Sequence, residues 1–278
     1  MNAIRYNLQT GLLLRWNRLF VPVIIFLYLA IPVGNSFIQL EQGGSLLSLL
    51  LYIFAGKNPS FGEMLELPLA WMICQIGCLL YNLDYPIRDL TRYGCQIFIR
   101  CKKRASWWNA KYLWCIVSTV AYWGSGVLVL IVYCFLNGFS VDLSLSQHTL
   151  ERFLDNAFLP PLVDCSGFDI LFHVLFMPLL TMISLNLLQM YLSISLNSSA
   201  GGFFLTCLLL IWSVFQCTPF AIGNYGMLQR NALFSTYGVS YTAGFWGLIC
   251  INLLILMLGR LSIKKRNLLN TDNPGGSA

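Results

Sequence analysis

Six stretches of this chain, at residues 19–38, 67–83, 112–136, 170–196, 203–222 and 239–258, contain no Asp, Glu, Lys or Arg and read as nearly continuous apolar sequence. A helix that crosses a hydrocarbon core of roughly 30 Å needs about 20 such residues, because it rises ~1.5 Å per residue and lipid offers no partner to an unpaired backbone group. The expected fold is therefore all-α, a polytopic membrane protein with about six transmembrane helices. Composition points the same way: of 278 residues 57% are apolar and only 10% charged, against roughly 25% charged in an average soluble domain. Arg15 and Arg18 ahead of the first run resemble the start of a secretory signal. The length of the run and the lack of a small-residue cleavage site favour a retained span.

Orientation follows from the basic residues, because loops on the cytoplasmic side keep an excess of Lys and Arg near the spans. Arg5, Arg15 and Arg18 precede the first span. Arg88, Arg92, Arg100, Lys102, Lys103, Arg104 and Lys111 lie between the second and third, and Arg260, Lys264, Lys265 and Arg266 follow the sixth. Fourteen of the 17 basic residues thus fall on one side, leaving Lys57, Arg152 and Arg230 for the other. An even number of spans puts both termini on the cytoplasmic side together with the loop 84–111. The opposite face, with Glu41, Glu63, Glu66, Asp142, Glu151, Asp155, Asp164 and Asp169, is mildly acidic.

The segments between spans divide the chain further. Residues 1–18 have Ile4, Leu8, Leu12 and Leu13 at helical spacing and read as an amphipathic helix in the cytoplasmic interface. Residues 19–266 form a single transmembrane domain, and 267–278 read as a flexible tail. On the outer side, residues 46–54 are apolar but too short to cross, which marks an interfacial or re-entrant piece. In the loop 84–111, a helix over residues 90–104 would put Leu90, Gly94, Ile97, Phe98 and Cys101 on one face and Arg92, Gln96, Arg100 and Lys103 on another. Such a helix either lies on anionic lipid or fits its apolar face into a partner's groove. Trp107 and Trp108 are expected at headgroup depth, with Lys111 snorkelling at the entry to the third span. Residues 218–238, with Pro219, Asn224 and Arg230, are too apolar for a wet loop and suit a short helix dipping into the outer leaflet.

Inside the spans, Asn186, Gln189, Ser193 and Asn197 recur on one side of the fourth, facing either another helix or a polar path. Gly124 and Gly126 in the third favour close helix approach. The ten cysteines form no CxxC pair, and seven of them, Cys74, Cys78, Cys115, Cys134, Cys207, Cys217 and Cys250, lie in apolar runs, so they read as small apolar fillers. With His148 and His173 the only histidines, no metal site is expected. No GxxxxGK[ST] phosphate loop occurs; Gly56-Lys57 lacks both the preceding glycine and the following hydroxyl. Ser125 between two glycines is at most a faint nucleophile turn, so no catalytic residue is assigned and the chain is not expected to be an enzyme. No carboxylate, Lys or Arg sits deep in a span, so ion-coupled transport has nothing to work with.

Taken in order, these features resemble the membrane subunit of a type-2 ABC transporter, a permease of the kind common in Gram-positive bacteria. The resemblance rests on the N-terminal interfacial helix, the outer apolar segment ending at Phe54-Ala55-Gly56, and the basic inner loop with Gly94-Cys95-Gln96, Arg100, Arg104, Trp107-Trp108 and Lys111. It continues through Gly223-Asn224-Tyr225-Gly226-Met227 and Arg230 before the last span to Lys264-Lys265-Arg266 after it. The loop 84–111 is unusually basic and aromatic for that family, and the outer loop 137–169 is long.

The resemblance implies that the inner loop is a coupling helix docking on a separate ATP-binding subunit through Arg88, Arg92, Gln96, Arg100, Lys103 and Arg104. It implies an outer gate around Pro219, Asn224 and Arg230, and a translocation path to which Asn186, Gln189, Ser193 and Asn197 are the candidates. It also implies a second permease as homodimer or heterodimer partner. This chain would bind no cofactor, ATP and Mg being held by the partner ATPase. It would contact membrane lipids and no nucleic acid, and it would sit in the bacterial cytoplasmic membrane. An amphipathic or lipophilic substrate is expected, a bacteriocin or other antimicrobial peptide among the options. The alternative is a membrane-bound immunity or sensor protein that binds a peptide or signalling partner and transports nothing.

Overall fold

Apolar runs form the helices, one of them continuing through Pro32, and capping residues help to set where others begin. The computed structural model describes residues 18–39, 44–57, 67–83, 104–142, 169, 171–232 and 238–265. Among them are α1 (Phe20–Gln39), α2 (Leu46–Ile53), α3 (Leu69–Asn82), α4 (Arg104–Asn137), α5 (Met177–Leu196), α6 (Ser199–Phe215) and α7 (Tyr241–Lys265). A π-helical turn, Leu171–Phe176, leads into α5, and two 3₁₀ turns, Ile222–Gly226 and Leu228–Arg230, lie between α6 and α7. Among the described residues there is no strand beyond two isolated bridges. The protein is an all-α, membrane-embedded chain.

Four helices, Phe20–Ile38, Arg104–Asn137, Leu171–Leu196 and Tyr241–Lys264, are long and apolar enough to cross a bilayer. The other two expected spans are shorter, with 14 residues in α3 and 17 in α6. Pro68, which has no N–H to donate, starts α3. Ser198 caps α6 by accepting from Gly201 N at 3.0 Å, so that helix begins four residues before the expected 203. It ends early too: Gln216 is extended at φ −118°, ψ 112°. Residues 216–222 thus leave the helix before the expected end of the span. In contrast, α4 begins at Arg104, eight residues before the expected 112.

Contacts between helix ends give each helix a direction. At one end, Arg18 Nη1 donates to Tyr81 O at 3.0 Å, Arg104 Nη1 to Lys264 O at 3.4 Å and Arg260 Nε to Asn109 Oδ1 at 2.8 Å. These bonds gather the starts of α1 and α4 with the ends of α3 and α7. Ile194, near the end of α5, packs there with Trp107 and Trp108. At the other end, Leu46 N donates to Ser140 O at 3.0 Å, and the end of α2 pairs with the 3₁₀ region. So α1, α4 and α6 run one way and α3, α5 and α7 return. Among the described residues both acids, Asp142 and Asp169, belong to the end opposite Arg18, Arg104, Arg260 and Lys264.

Packing explains which small residues matter. A Cβ on Gly126 would overlap the Phe26 ring, so α1 and α4 meet closely there, whereas Gly124 has nothing within 4 Å and makes no such approach. The short α2 is buried on nearly every side, with Leu46, Leu47, Leu49, Leu50, Leu51 and Ile53 all in the core. It is packed inside the protein. Cys74, Cys78, Cys115 and Cys134 are free thiols packed in the core or closely against it.

At the basic end, Trp107, Trp108 and Lys111 are fully buried against protein, so Lys111 does not snorkel to water. The cause is α7, whose last turns cover the start of α4: Gly259 leaves the space that the Trp108 indole fills, and a Cβ there would overlap the ring. The Lys111 ammonium sits 5.5 Å from the Trp107 ring centroid, a cation–π contact in place of water.

Candidate functional site

The segment between α6 and α7 breaks its helix where polar backbone has to be satisfied by protein, and one side chain does most of that work. Arg230, only 2% exposed, ends the second 3₁₀ turn. Its Nη2 donates to Val214 O at 2.6 Å, and its Nη1 donates to Ser213 O, Gln216 O and Asn224 Oδ1. Its Nε donates to Lys57 O at 3.0 Å. Ser213 and Val214 lie in the last turn of α6 and Gln216 is its C-cap, so their carbonyls have no acceptor role left inside the helix. A fixed guanidinium fork satisfies several of them at once and places positive charge at the negative end of the helix dipole. Burial pulls the Arg230 guanidinium below its ordinary value, while Cys217 and Tyr241 push it back up. It remains a cation at any physiological pH.

Neighbouring groups complete the clamp. Asn224 Nδ2 donates to Gln216 O at 2.9 Å and Thr218 O at 2.8 Å, and Tyr225 Oη donates to Pro219 O at 2.8 Å. Tyr241 Oη, at the start of α7, donates to Met227 O at 2.6 Å. Leu228 N and Gln229 N donate to Phe54 O and Ala55 O, which ties the segment to the end of α2. Gly56 follows at φ +76°, a left-handed turn that packs directly on Met227. The three gate candidates, Pro219, Asn224 and Arg230, are therefore brought together in one hydrogen-bonded unit. Gly56, which ends the outer apolar segment, belongs to it as well, as do Tyr241 and Lys57, which carried no sequence signal because their spacing along the chain is arbitrary.

The candidates for a translocation path divide. Asn186, Gln189 and Ser193 are buried, while Asn197 is the exposed left-handed C-cap of α5 at φ 54°. Asn186 Oδ1 accepts from Asn82 Nδ2 at 2.9 Å, and Ser118 Oγ donates to Asn82 Oδ1 at 2.7 Å. Asn186 Nδ2 donates to Met182 O and Cys78 Sγ, and Gln189 Nε2 donates to Leu79 O at 3.2 Å. These bonds join α3, α4 and α5. The gap lined by Asn82, Trp114, Cys115, Asn186, Gln189 and Ser193 is too narrow to admit a water molecule. Within one chain this seam does what polar groups between membrane helices commonly do, which is to hold helices together at about 0.6 kcal/mol or more per bond.

Of the six docking candidates only Arg104 is in the described residues, where it joins α4 to the end of α7. Arg88, Arg92, Gln96, Arg100 and Lys103 lie outside them, as do all but the last residue of the helix expected over 1–18 and the whole of the tail expected at 267–278. Ser125 Oγ donates to Tyr122 O of its own helix at 2.8 Å.

A family model described as a protein of unknown function (DUF2705) matches residues 20–269. No curated protein and no solved structure matches the chain.

Proposed function

We propose that this chain, which belongs to the DUF2705 family, is the membrane permease subunit of an ATP-driven exporter, working with separate ATP-binding subunits and a second permease. The observation that carries this reading is α4, a single helix of 34 residues. At ~1.5 Å per residue it is about 51 Å long, well beyond a hydrocarbon core of roughly 30 Å. It begins at the basic end, within the expected inner loop 84–111. A push on that loop reaches the bundle through a rigid rod, and Trp107 and Trp108 pass it laterally to α7.

In this reading the basic end faces the cytoplasm of a bacterial cell, six helices cross the membrane, and Arg88, Arg92, Gln96, Arg100, Lys103 and Arg104 meet the ATPase. ATP and Mg are bound and hydrolysed there and not in this chain. The Arg230 clamp, with Pro219 and Asn224, closes the outer end. The exported molecule is amphipathic or lipophilic, an antimicrobial peptide being one such substrate. Because the polar seam at Asn186, Gln189 and Ser193 is sealed within one chain, the path runs between two permeases.

That sealed seam also suits the second reading, a membrane-bound immunity or sensor protein that moves nothing. Purification of the tagged full-length chain from native membranes separates the two. A nucleotide-binding subunit recovered in stoichiometric amount is the expected result. Recovery of the intact chain without one would overturn the permease reading in favour of the sensor.

A further inference from the structure

Ser193 differs from the other buried hydroxyls of α5. Thr181 Oγ1 donates to Met177 O and Ser184 Oγ to Leu180 O, each at 2.9 Å, which is the bond to the carbonyl one turn back that Ser and Thr make in helices. Ser193, only 1% exposed, makes no such bond, and its Oγ has no partner among the described residues. One turn earlier Gln189 is in a similar position. Its Nε2 donates to Leu79 O, which fixes the orientation of the amide, and its Oε1 is left buried with no donor to accept from. Both residues line the narrow gap between α3, α4 and α5, together with Asn82, Asn186 and Cys115. The amides of Asn82 and Asn186 are already paired with each other, Ser118 and Met182 O, so neither supplies the missing bond.

An acceptor and a hydroxyl left unsatisfied one helical turn apart, in a gap too tight for water, make this the costlier of two arrangements. One water between them would donate to Gln189 Oε1 and bond Ser193 Oγ, satisfying both. The wall that can yield is α6. Its start closes the gap at Gly202, where a Cβ would overlap both the hydroxyl and the backbone of Ser193. Only Asn197, left-handed, and Ser198, extended, separate α5 from α6, and a corner of this kind absorbs a change of dihedral angles without breaking either helix. We propose that this corner is a hinge and that the gap is a water site in its open state: the start of α6 moves off Ser193, and water from the basic end bridges Ser193 and Gln189. Admitting one water opens no path for an amphipathic substrate. The motion belongs to one chain alone, so it stands or falls independently of the permease reading.

Cys115 lines the same gap and serves as the reporter, because a thiol reacts with methyl methanethiosulfonate as its thiolate, which forms where water reaches it. The full-length chain in nanodiscs is labelled and each cysteine is read by peptide mass spectrometry. Cys74, equally buried but packed in the core away from the gap, is the internal comparison. Cys115 is expected to label about tenfold faster than Cys74. Ser193→Ala, which removes one of the two groups that hold the water, should slow Cys115 about fivefold. Gly202→Ala, which props the start of α6 away from Ser193, should speed it, and Cys74 should be unchanged in both. Equal rates at Cys115 and Cys74 in the native chain overturn the proposal, as does a Cys115 rate that Ser193→Ala leaves unchanged. Should Gly202→Ala fail to fold, the native chain and Ser193→Ala decide alone.

Discussion

Arg230 holds five hydrogen bonds with no carboxylate among its acceptors. Replacing it by Met keeps the length of the side chain and removes the donor to the carbonyls of Ser213, Val214 and Lys57 and to Asn224 Oδ1, while Gln216 O keeps its bond from Asn224. Hydrogen bonds to a charged group contribute about 1.5–3 kcal/mol each, and the losses overlap because the bonds share one side chain. Arg230→Met is therefore expected to cost roughly 3 kcal/mol, read as a lower thermal midpoint in nanodiscs. Arg230→Lys should recover less than half of that, because an ammonium cannot reproduce the planar fork. A Met variant that melts with the native protein would remove the clamp from the account. Arg230 was legible in the sequence as the lone charge of an apolar segment rich in Pro, Gly and Asn. Asn82, the hub of the polar seam, was not. It sits at the end of an expected span, where an amide looks like a boundary residue, and its partners Ser118 and Asn186 are on other helices.

Elements were legible where one property decided them. The cores of the long spans are set by apolar composition, and all six expected spans coincide with helices over much of their length. Their ends depend on tertiary contact. The start of α4 at Arg104 is held by α7, which no local pattern encodes, so the burial of Trp107, Trp108 and Lys111 against protein could not be read from their spacing. The end of α6 at Phe215 answers to the Arg230 guanidinium 15 residues further on. Gly259 is the point where α7 admits Trp108, and overpacking a core contact of this kind typically costs 1–3 kcal/mol. Gly259→Leu should destabilise the protein by about 2 kcal/mol, and adding Trp108→Ala should cost less than the sum of the two single changes, since the leucine then fills space that the indole vacates. Strict additivity in a double-mutant cycle would mean that α4 and α7 do not meet at this pair.

At the scale of the molecule, alternation of helix direction separates two chemically different ends. Arg18, Arg104, Arg260 and Lys264 mark one; Asp142, Asp169 and the Arg230 clamp mark the other. Charge placement along the sequence anticipated this polarity, because basic residues near spans resist transfer across the membrane while the chain inserts. The proposed docking and gating roles rest on the order of segments alone, since they would depend on a partner's surface that no spacing in this chain encodes. In the permease reading the basic end receives an ATP-binding subunit. A photo-crosslinking residue placed at Gln96 in the full-length protein, compared with the same residue at Asp142, tests it most directly in native membranes. Capture of a nucleotide-binding protein from position 96 and not from 142 is the predicted result, and an equal yield from both positions, or none from 96, would contradict it.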